Sequence, residues 1–576
     1  MNDSSSNPRR IAAGITLAAT LTAIAGAGPA PAASLGAANG ITFNAKIPAV
    51  GASLPLFRLS ATAAPSAFLA AAVHGTHGFA REGTRAVQRD PAGVVHAFAD
   101  AATGEAQIFP EFTGSGAAAR PEALAAVARG VFARPDVIPK DATSVRLGDA
   151  APVFAAAADK AHDGTTHGTQ APKLLFTYIP AERFAAGLPV TGAGSRVTVG
   201  VGNDGSIRAF VRDWKSAQVA GNVAVTTSPA QAEREIAAQL QPLRARYGSV
   251  TVDSVTPAYY DGDKNFMQPV YEFVATLGAR GTLQDHVRGY VPMGKLAEAL
   301  PVIGDHPQTG PLPSAPTPAR SFERRPDGNP SEITLGEYVN RNCLFTNNCY
   351  DMSGAYLNGF DSVLPFWYGP PIERTQYYFA YSFEVLGSSQ YYLNSVNVAY
   401  TNPHGDWYLN TTIGNYVPTG DPWYVNEIGT GGNKGYGAAA GGQLATWIID
   451  SCEVIPSYYD KQVTTGNGFN AFNYWWPVFQ GLHRALGFRT QMLMGEDQMN
   501  YNIAREMALG ANADSAFYNE VAAAGTFPTY LDTHLGLTVH YDRVSTMNDV
   551  RNASESIYSV QGQSAAGSLT NVWMGN

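Results

Sequence analysis

Two apolar runs in this chain each stop on a residue able to do covalent chemistry. The first, N-S-V-N-V-A-Y-T-N-P-H-G-D-W, carries alternating Val396, Val398 and Tyr400 and delivers His404-Gly405. That alternation predicts a strand. The second, Q-L-A-T-W-I-I-D-S-C-E, delivers Cys452 just after Trp447-Ile448-Ile449. A thiol and an imidazole suit each other as nucleophile and proton carrier. An open α/β sheet gathers such groups where its strands end, because the loops there are exposed and the strands behind them are held between layers. We therefore read His404 and Cys452 as a reactive pair.

Cysteine arithmetic points the same way. The chain has three cysteines, an odd number that suggests a free thiol if the protein is exported. Cys343 and Cys349 lie close together in C-L-F-T-N-N-C, a polar turn-like setting that suits a small disulfide loop in an oxidising compartment. Cys452 is left over. A buried, inert thiol is the competing reading; the histidine that ends the preceding strand run favours a nucleophile.

The elements that position the pair belong to an aromatic-rich segment, residues 331–576. Strands are expected at Tyr377 to Phe383, Tyr392 to Tyr400, Leu444 to Ile449 and Phe488 to Leu493. Helices are expected at Trp476 to Leu486, Asn500 to Ala508 and Ser515 to Ala524. Alternating strands and helices predict an α/β fold, a mainly parallel sheet with helices on both faces. Runs such as Phe366-Trp367-Tyr368, Tyr377-Tyr378-Phe379 and Tyr474-Trp475-Trp476 suit either a glycan or peptide cleft or, more often for large aromatics, a core. The Gly-rich stretch from Gly429 to Gly442 lacks G-K-[ST] and precedes a strand, so it reads as a mobile loop beside the site rather than a phosphate cradle.

The 576 residues allow several domains. Arg9-Arg10, the apolar stretch from Ile11 to Ala25 and the small residues Ala30 to Ala33 resemble a removable export signal over residues 1–33. An uncleaved anchor is the alternative. No other stretch reaches the roughly 20 apolar residues of a spanning helix, so the mature chain is expected off the membrane, secreted or periplasmic. Residues 34–170 are Ala/Gly-rich, with strands at Gly93 to Ala99 and Glu105 to Phe112 and a helix from Pro121. Their His74-Gly75, His77-Gly78 and His167-Gly168 follow no strong strand run and read as loop histidines. Residues 171–303 show a strand L-L-F-T-Y-I-P, a hairpin turning at Asn203-Asp204-Gly205, a helix capped by Ser228, and a second hairpin from Val250 to Phe273 followed by a strand at Arg288 to Pro292. This α+β pattern resembles the PepSY-like domains found in propeptides of exported peptidases; a plain structural module fits it as well. Residues 304–330 carry five prolines between Asp305 and Arg320 and read as an exposed linker open to proteolysis.

Composition narrows the partners. With 45% apolar and 15% charged residues and a net charge of −9, the chain lacks the basic face that a nucleic acid requires. No metal or nucleotide motif is present, and no cofactor is implied.

The two strand-end motifs, 48 residues apart (404 to 452), resemble those of caspase, legumain and gingipain type cysteine peptidases. P-H-G-D-W, I-I-D-S-C-E and the later G-L-H-R-A-L-G-F are similar to an uncharacterised family of exported caspase-like domains, over roughly Gly336 to Arg543. The resemblance implies a peptide or protein substrate, with Cys452 attacking as thiolate and His404 donating a proton to the departing amine. It also implies an oxyanion hole from the amides of Gly405 and Cys452. Gly405 would let substrate approach the backbone. Pro403 departs from the small residue usual before His-Gly. Asp450 suits either holding the loop, reading a basic substrate side chain, or a buried strand end bonded to backbone amides. Asp406 and Glu453 suit a pocket for Arg or Lys, or plain solvated loops. His483, on a helix, suits packing.

On this reading the chain is an exported cysteine endopeptidase, made as a zymogen whose N-terminal half covers the cleft until the linker is cut. A silent caspase-like binding module and a peptide ligase using the same thiol are the alternatives.

Overall fold

The computed structural model describes residues 35–38, 40–73, 78–114, 119–278, 284–301, 303, 332–339, 348–364, 372–377, 382–411, 422–458, 460, 470–494, 497–524, 529–532, 537–552 and 554–575. The expected export signal, the proline-rich linker and Cys343 lie outside these, as do His74 and His77. Only the backbone of Cys349 is described, in the first turn of the helix Asn348–Asp361, so the expected disulfide also falls outside.

The fold is mixed α/β. In the C-terminal half, five strands run parallel in the order Ile372–Tyr377, Thr334–Val339, Val398–Asn402, Thr446–Ile449 and Arg484–Phe488. Val544–Asp549 then joins antiparallel to the last of these, followed by Ser568–Met574. Every residue of Val398–Asn402 and Thr446–Ile449 is buried, as strands covered on both faces must be. Alternate side chains enter two separate cores. Val398, Tyr400 and Ile448 pack with Met352, Tyr356, Ile503, Met507 and Phe517, which come from the helices Asn348–Asp361, Asp497–Leu509 and Ala513–Ala523. Ala399, Trp447 and Ile449 pack with Trp423, Phe472, Trp475, Trp476 and Phe479. Helices therefore cover one face. On the other, the described residues form aromatic-rich turns around the single-turn helix Phe472–Trp475.

Several expected boundaries move. The helix expected from Trp476 to Leu486 is absent: Gly481 takes φ +95°, and Arg484–Phe488 is a central strand whose five residues are all buried. His483 accordingly stands at the start of a strand. The run expected from Tyr392 begins as a 3-10 turn at Leu393–Ser395 and becomes a strand only at Val398. The strand near Tyr377 ends there, and Ser382–Val385 is helical. The Gly-rich stretch is exposed from Gly429 to Gly432 but packed from Gly435 to Gly437. Tyr436 is fully buried with its hydroxyl on the Val385 carbonyl at 2.6 Å, and a Cβ on Gly435 or Gly437 would strike the backbone of Pro477 or Gly481.

The N-terminal half contains two sheets whose sequences interleave. Val95–Asp100, Ala106–Ile108, Ile207–Asp213, Arg196–Gly202, Lys173–Ala185 and Ala151–Lys160 pair in that order, under the helix Pro121–Phe132, which buries Leu124, Ala128, Val131 and Phe132. The second sheet joins Ser53–Ser60 to Ser216–Ala224, and Val250–Asp261 to Phe266–Leu277 and Asp285–Pro292. Phe266–Leu277 also pairs with Ser53–Ser60. The helix Pro229–Tyr247, capped by Ser228 accepting from the Gln231 N–H at 3.3 Å, packs Ile236, Leu240 and Leu243 on it. The expected division at residue 170 therefore cuts one ladder, because Lys173–Ala185 pairs with Ala151–Lys160.

The two halves share a sheet. Ala151–Lys160 pairs along its length with Ser568–Met574, carrying the C-terminal sheet directly into the N-terminal one. A buried polar cluster reinforces the join. Arg196 pairs with Glu520 at 2.7 Å, Gln107 donates to Glu520 at 2.9 Å, Tyr178 donates to Asn519 at 2.9 Å, and Arg505 pairs with Glu105.

Candidate active site

His404 and Cys452 follow neighbouring parallel strands, with Thr401 opposite Ile449 in register, so both arrive at the same edge of the sheet. Two contacts fasten the arriving segments. Ser451 Oγ donates to the Pro403 carbonyl at 2.6 Å, which gives the unexpected proline a place. Gly405 lies against the backbone of Cys452, where a Cβ would strike the Cys452 carbonyl oxygen. The room left by that glycine is thus filled by the chain itself rather than by an approaching substrate. Gly405→Ala is expected to destabilise the fold by about 2 to 3 kcal/mol, seen as a lower urea midpoint, because the obstructing atom is backbone.

Cys452 is 9% exposed and His404 6%. The sulfur accepts a hydrogen bond from the Met492 N–H at 3.4 Å, a contact that favours thiolate over thiol. His404 begins a short strand, His404–Asp406, paired with Leu409–Thr411. The two-residue turn between them is Trp407-Tyr408, with φ +40° and +70°. Tight turns of this kind favour Gly and Asn, and large side chains there store strain. Stacking of Tyr408 on Tyr474, ring centroids 4.4 Å apart, holds the turn in place.

Gly405, Asp406, Cys452 and Glu453 open onto a cavity of about 1270 Å³; His404 and Asp450 are not among its lining residues. Glu453 is buried, takes φ +51° and accepts from the Tyr530 hydroxyl at 3.3 Å. Asp406 is half-buried on the wall. Much of the opposite wall comes from the N-terminal half, including Arg183, Glu272, Thr276, His286 and Arg288. Its arginines are engaged: Arg183 with Asp141 at 2.7 Å and Arg288 with Glu272 at 3.2 Å. The sequence singled out none of these N-terminal residues, since they meet the thiol only through long-range pairing.

Asp450 points into the core. Its Oδ2 accepts from the Tyr400 hydroxyl, from Asn500 at 3.2 Å and from Asn402 at 3.4 Å, side chains rather than the expected backbone amides. Burial pushes its carboxyl up to about 6, against the lowering effect of Tyr400 and Asn500. The folded state therefore holds a proton that the unfolded chain releases near pH 4. Its contribution to stability is complete below about pH 4 and is lost as pH rises through about 6. Asp450→Asn should remove that dependence, gaining up to about 3 kcal/mol over the parent at pH 7 and little at pH 4, as measured by denaturation at the two pH values. His483 bonds Glu555 at 2.7 Å and has no part in the cavity.

No family model matches the chain, and no curated protein matches it. A partial likeness exists to the crystal structure of an uncharacterized protein from Eubacterium rectale, at 8% identity and TM-score 0.27, covering 44% of this chain and 89% of that one. Among the described residues no helix is long and apolar enough to cross a membrane.

Proposed function

We propose that the chain is a cysteine hydrolase of caspase-like type that cleaves peptide bonds through Cys452 and His404. The observation that carries this reading is the delivery of both residues to one sheet edge by adjacent parallel strands, with their backbones fastened together and Cys452 opening onto a large cavity. In the reaction the Cys452 sulfur forms a bond to the peptide carbonyl carbon, and the displaced electron pair moves to oxygen. Collapse of that adduct expels the amine, which takes a proton from His404. Water then attacks the thioester, gives its proton to His404 and releases the acid. The amides of Gly405 and Cys452 are the proposed oxyanion donors, each worth about 100 to 1,000-fold in rate.

Asp406 and Glu453, on the cavity wall, suit a cationic substrate side chain. The export pattern at residues 1–33 supports a secreted or periplasmic protein. A silent binding module is the second reading, favoured by the absence of His404 from the cavity lining. Incubation with a peptide library, followed by product analysis, separates the cases. New amino termini support hydrolysis, joined peptides support ligation, and an unchanged library supports the silent module.

A further inference from the structure

Regular pairing of the strands Val398–Asn402 and Thr446–Ile449 carries the two chains as far as Asp450, whose N–H donates to the Thr401 carbonyl at 2.8 Å. There the second strand turns, with the Ser451 N–H on the Ile449 carbonyl at 2.9 Å. His404 and Cys452 lie just beyond, so their separation depends on the side chains that continue the join past the ladder. One tie runs from Ser451 Oγ to the Pro403 carbonyl at 2.6 Å. Another lies in the core, on Asn402 and Asp450, two residues before each of the pair.

This core tie is a closed set of bonds around one carboxyl oxygen. Asp450 Oδ2 accepts from the Tyr400 hydroxyl and from Asn402 Nδ2 at 3.4 Å. Asn402 Nδ2 also donates to Tyr400 Oη at 3.1 Å, so the three side chains form a triangle that spans both strands. The triangle is fixed from outside. Asn500, on the helix Asp497–Leu509, donates to the same Asp450 oxygen at 3.2 Å. Tyr356, on the helix Asn348–Asp361, stacks on Tyr400 with ring centroids 4.7 Å apart. Tyr400, Asn402, Asp450 and Asn500 are all buried, where a lost hydrogen bond is not replaced by one to solvent.

We propose that Asp450 is a positioning residue of the thiol site, which through Tyr400 and Asn402 sets the separation of His404 from Cys452 from inside the core. It acts through the strand ends and not on substrate, since its partners lie in the core and it does not line the cavity. The acid two residues before the thiol is then a brace for the pair rather than a pocket for a basic side chain. This rests on the thiol reading above.

The test is the rate at which a peptidyl epoxide labels Cys452 in the full chain at pH 7, with and without His404→Ala, thermal melts confirming that each variant is folded. In that reaction the sulfur bonds to an epoxide carbon, the carbon–oxygen bond opens and the oxygen takes a proton from His404, so the rate reports both groups together. His404→Ala should slow the parent at least about 100-fold. Asp450→Leu should itself slow labelling about 100-fold, the cost of a misplaced group, and His404→Ala should then add little. Tyr400→Phe, which keeps the ring stack and folds more readily, should slow labelling about tenfold, the loss of one hydrogen bond. Asp450→Asn, which keeps an acceptor oxygen, should retain the dependence on His404. Full dependence on His404 in Asp450→Leu and Tyr400→Phe would overturn the proposal and leave the thiol reading standing. Loss of that dependence in Asp450→Asn would overturn it as well. A parent labelled at the same rate with and without His404 would overturn the thiol reading, and the proposal with it.

Discussion

Cys452→Ala is expected to lower peptide turnover by at least about 1,000-fold while leaving the melting temperature nearly unchanged. Removal of a covalent nucleophile leaves only the catalysis that binding and oxyanion donors supply. The structural cost is small because alanine removes a single buried sulfur atom, and the hydrogen bond that the sulfur accepts from the Met492 N–H is long at 3.4 Å. The comparison to make is with His404→Ala, which should lose a similar factor. The two losses should not add in the double variant, since the residues act as one unit. Steady-state rates on the best library peptide check this. Additive losses would mean that the two side chains serve separate purposes.

The second large effect concerns the union of the halves. Arg196 and Glu520 are 6% and 0% exposed at their side chains and lie 2.7 Å apart. Burial pushes the Glu520 carboxyl up, but the Arg196 charge, with hydrogen bonds from Glu506, Arg196 and Asn502, more than offsets this and holds it below its ordinary value. Burial and the Glu520 charge push neighbouring Glu506 well up, keeping it neutral. Arg196→Met strands the Glu520 charge in the interior and should cost about 3 to 5 kcal/mol. Adding Glu520→Gln should recover part of the loss, because the charge no longer lacks its partner. The same join predicts the fate of a chain cut between residues 304 and 330. The ladder between Ala151–Lys160 and Ser568–Met574 would keep the parent's halves together on size exclusion. In Arg196→Met they should separate at lower urea. A propeptide that leaves on cleavage would instead appear as a separate peak from the uncut parent's mass at once.

The sequence was most informative where a local pattern and the final environment agree. Val396 to Thr401 and Trp447 to Ile449 are apolar runs that end on chemistry, and burial from both faces is what such runs require. The hairpin at Asn203-Asp204-Gly205 and the Ser228 cap are likewise short-range signals, and both appear, with Gly205 at φ +80°. Misreadings arose where the same residues serve a different purpose. Leu482, Leu486 and their neighbours have a helical spacing, but a central strand buried on both faces is also continuously apolar, and Gly481 decides between them. Within the glycines from Gly429 to Gly442, Gly435 and Gly437 allow backbones to touch, while Gly431, Gly432 and Gly441 face open space. Of the roles the sequence offers Asp450, the buried strand-end acid is the one the fold shows, but its partners are side chains rather than backbone amides, because Tyr400 sits on the neighbouring strand. The interleaving of the N-terminal sheets and the opening of Cys452 onto a cavity partly walled by the N-terminal half depend on strand pairs far apart in the chain, for which no local signal exists.

The most direct measurement is mass-spectrometric mapping of the native full-length chain after treatment with a peptidyl epoxide. We expect one adduct, on Cys452, absent from the His404→Ala variant at equal exposure. An adduct elsewhere, or labelling of Cys452 that is indifferent to His404, would contradict a shared thiol and imidazole site.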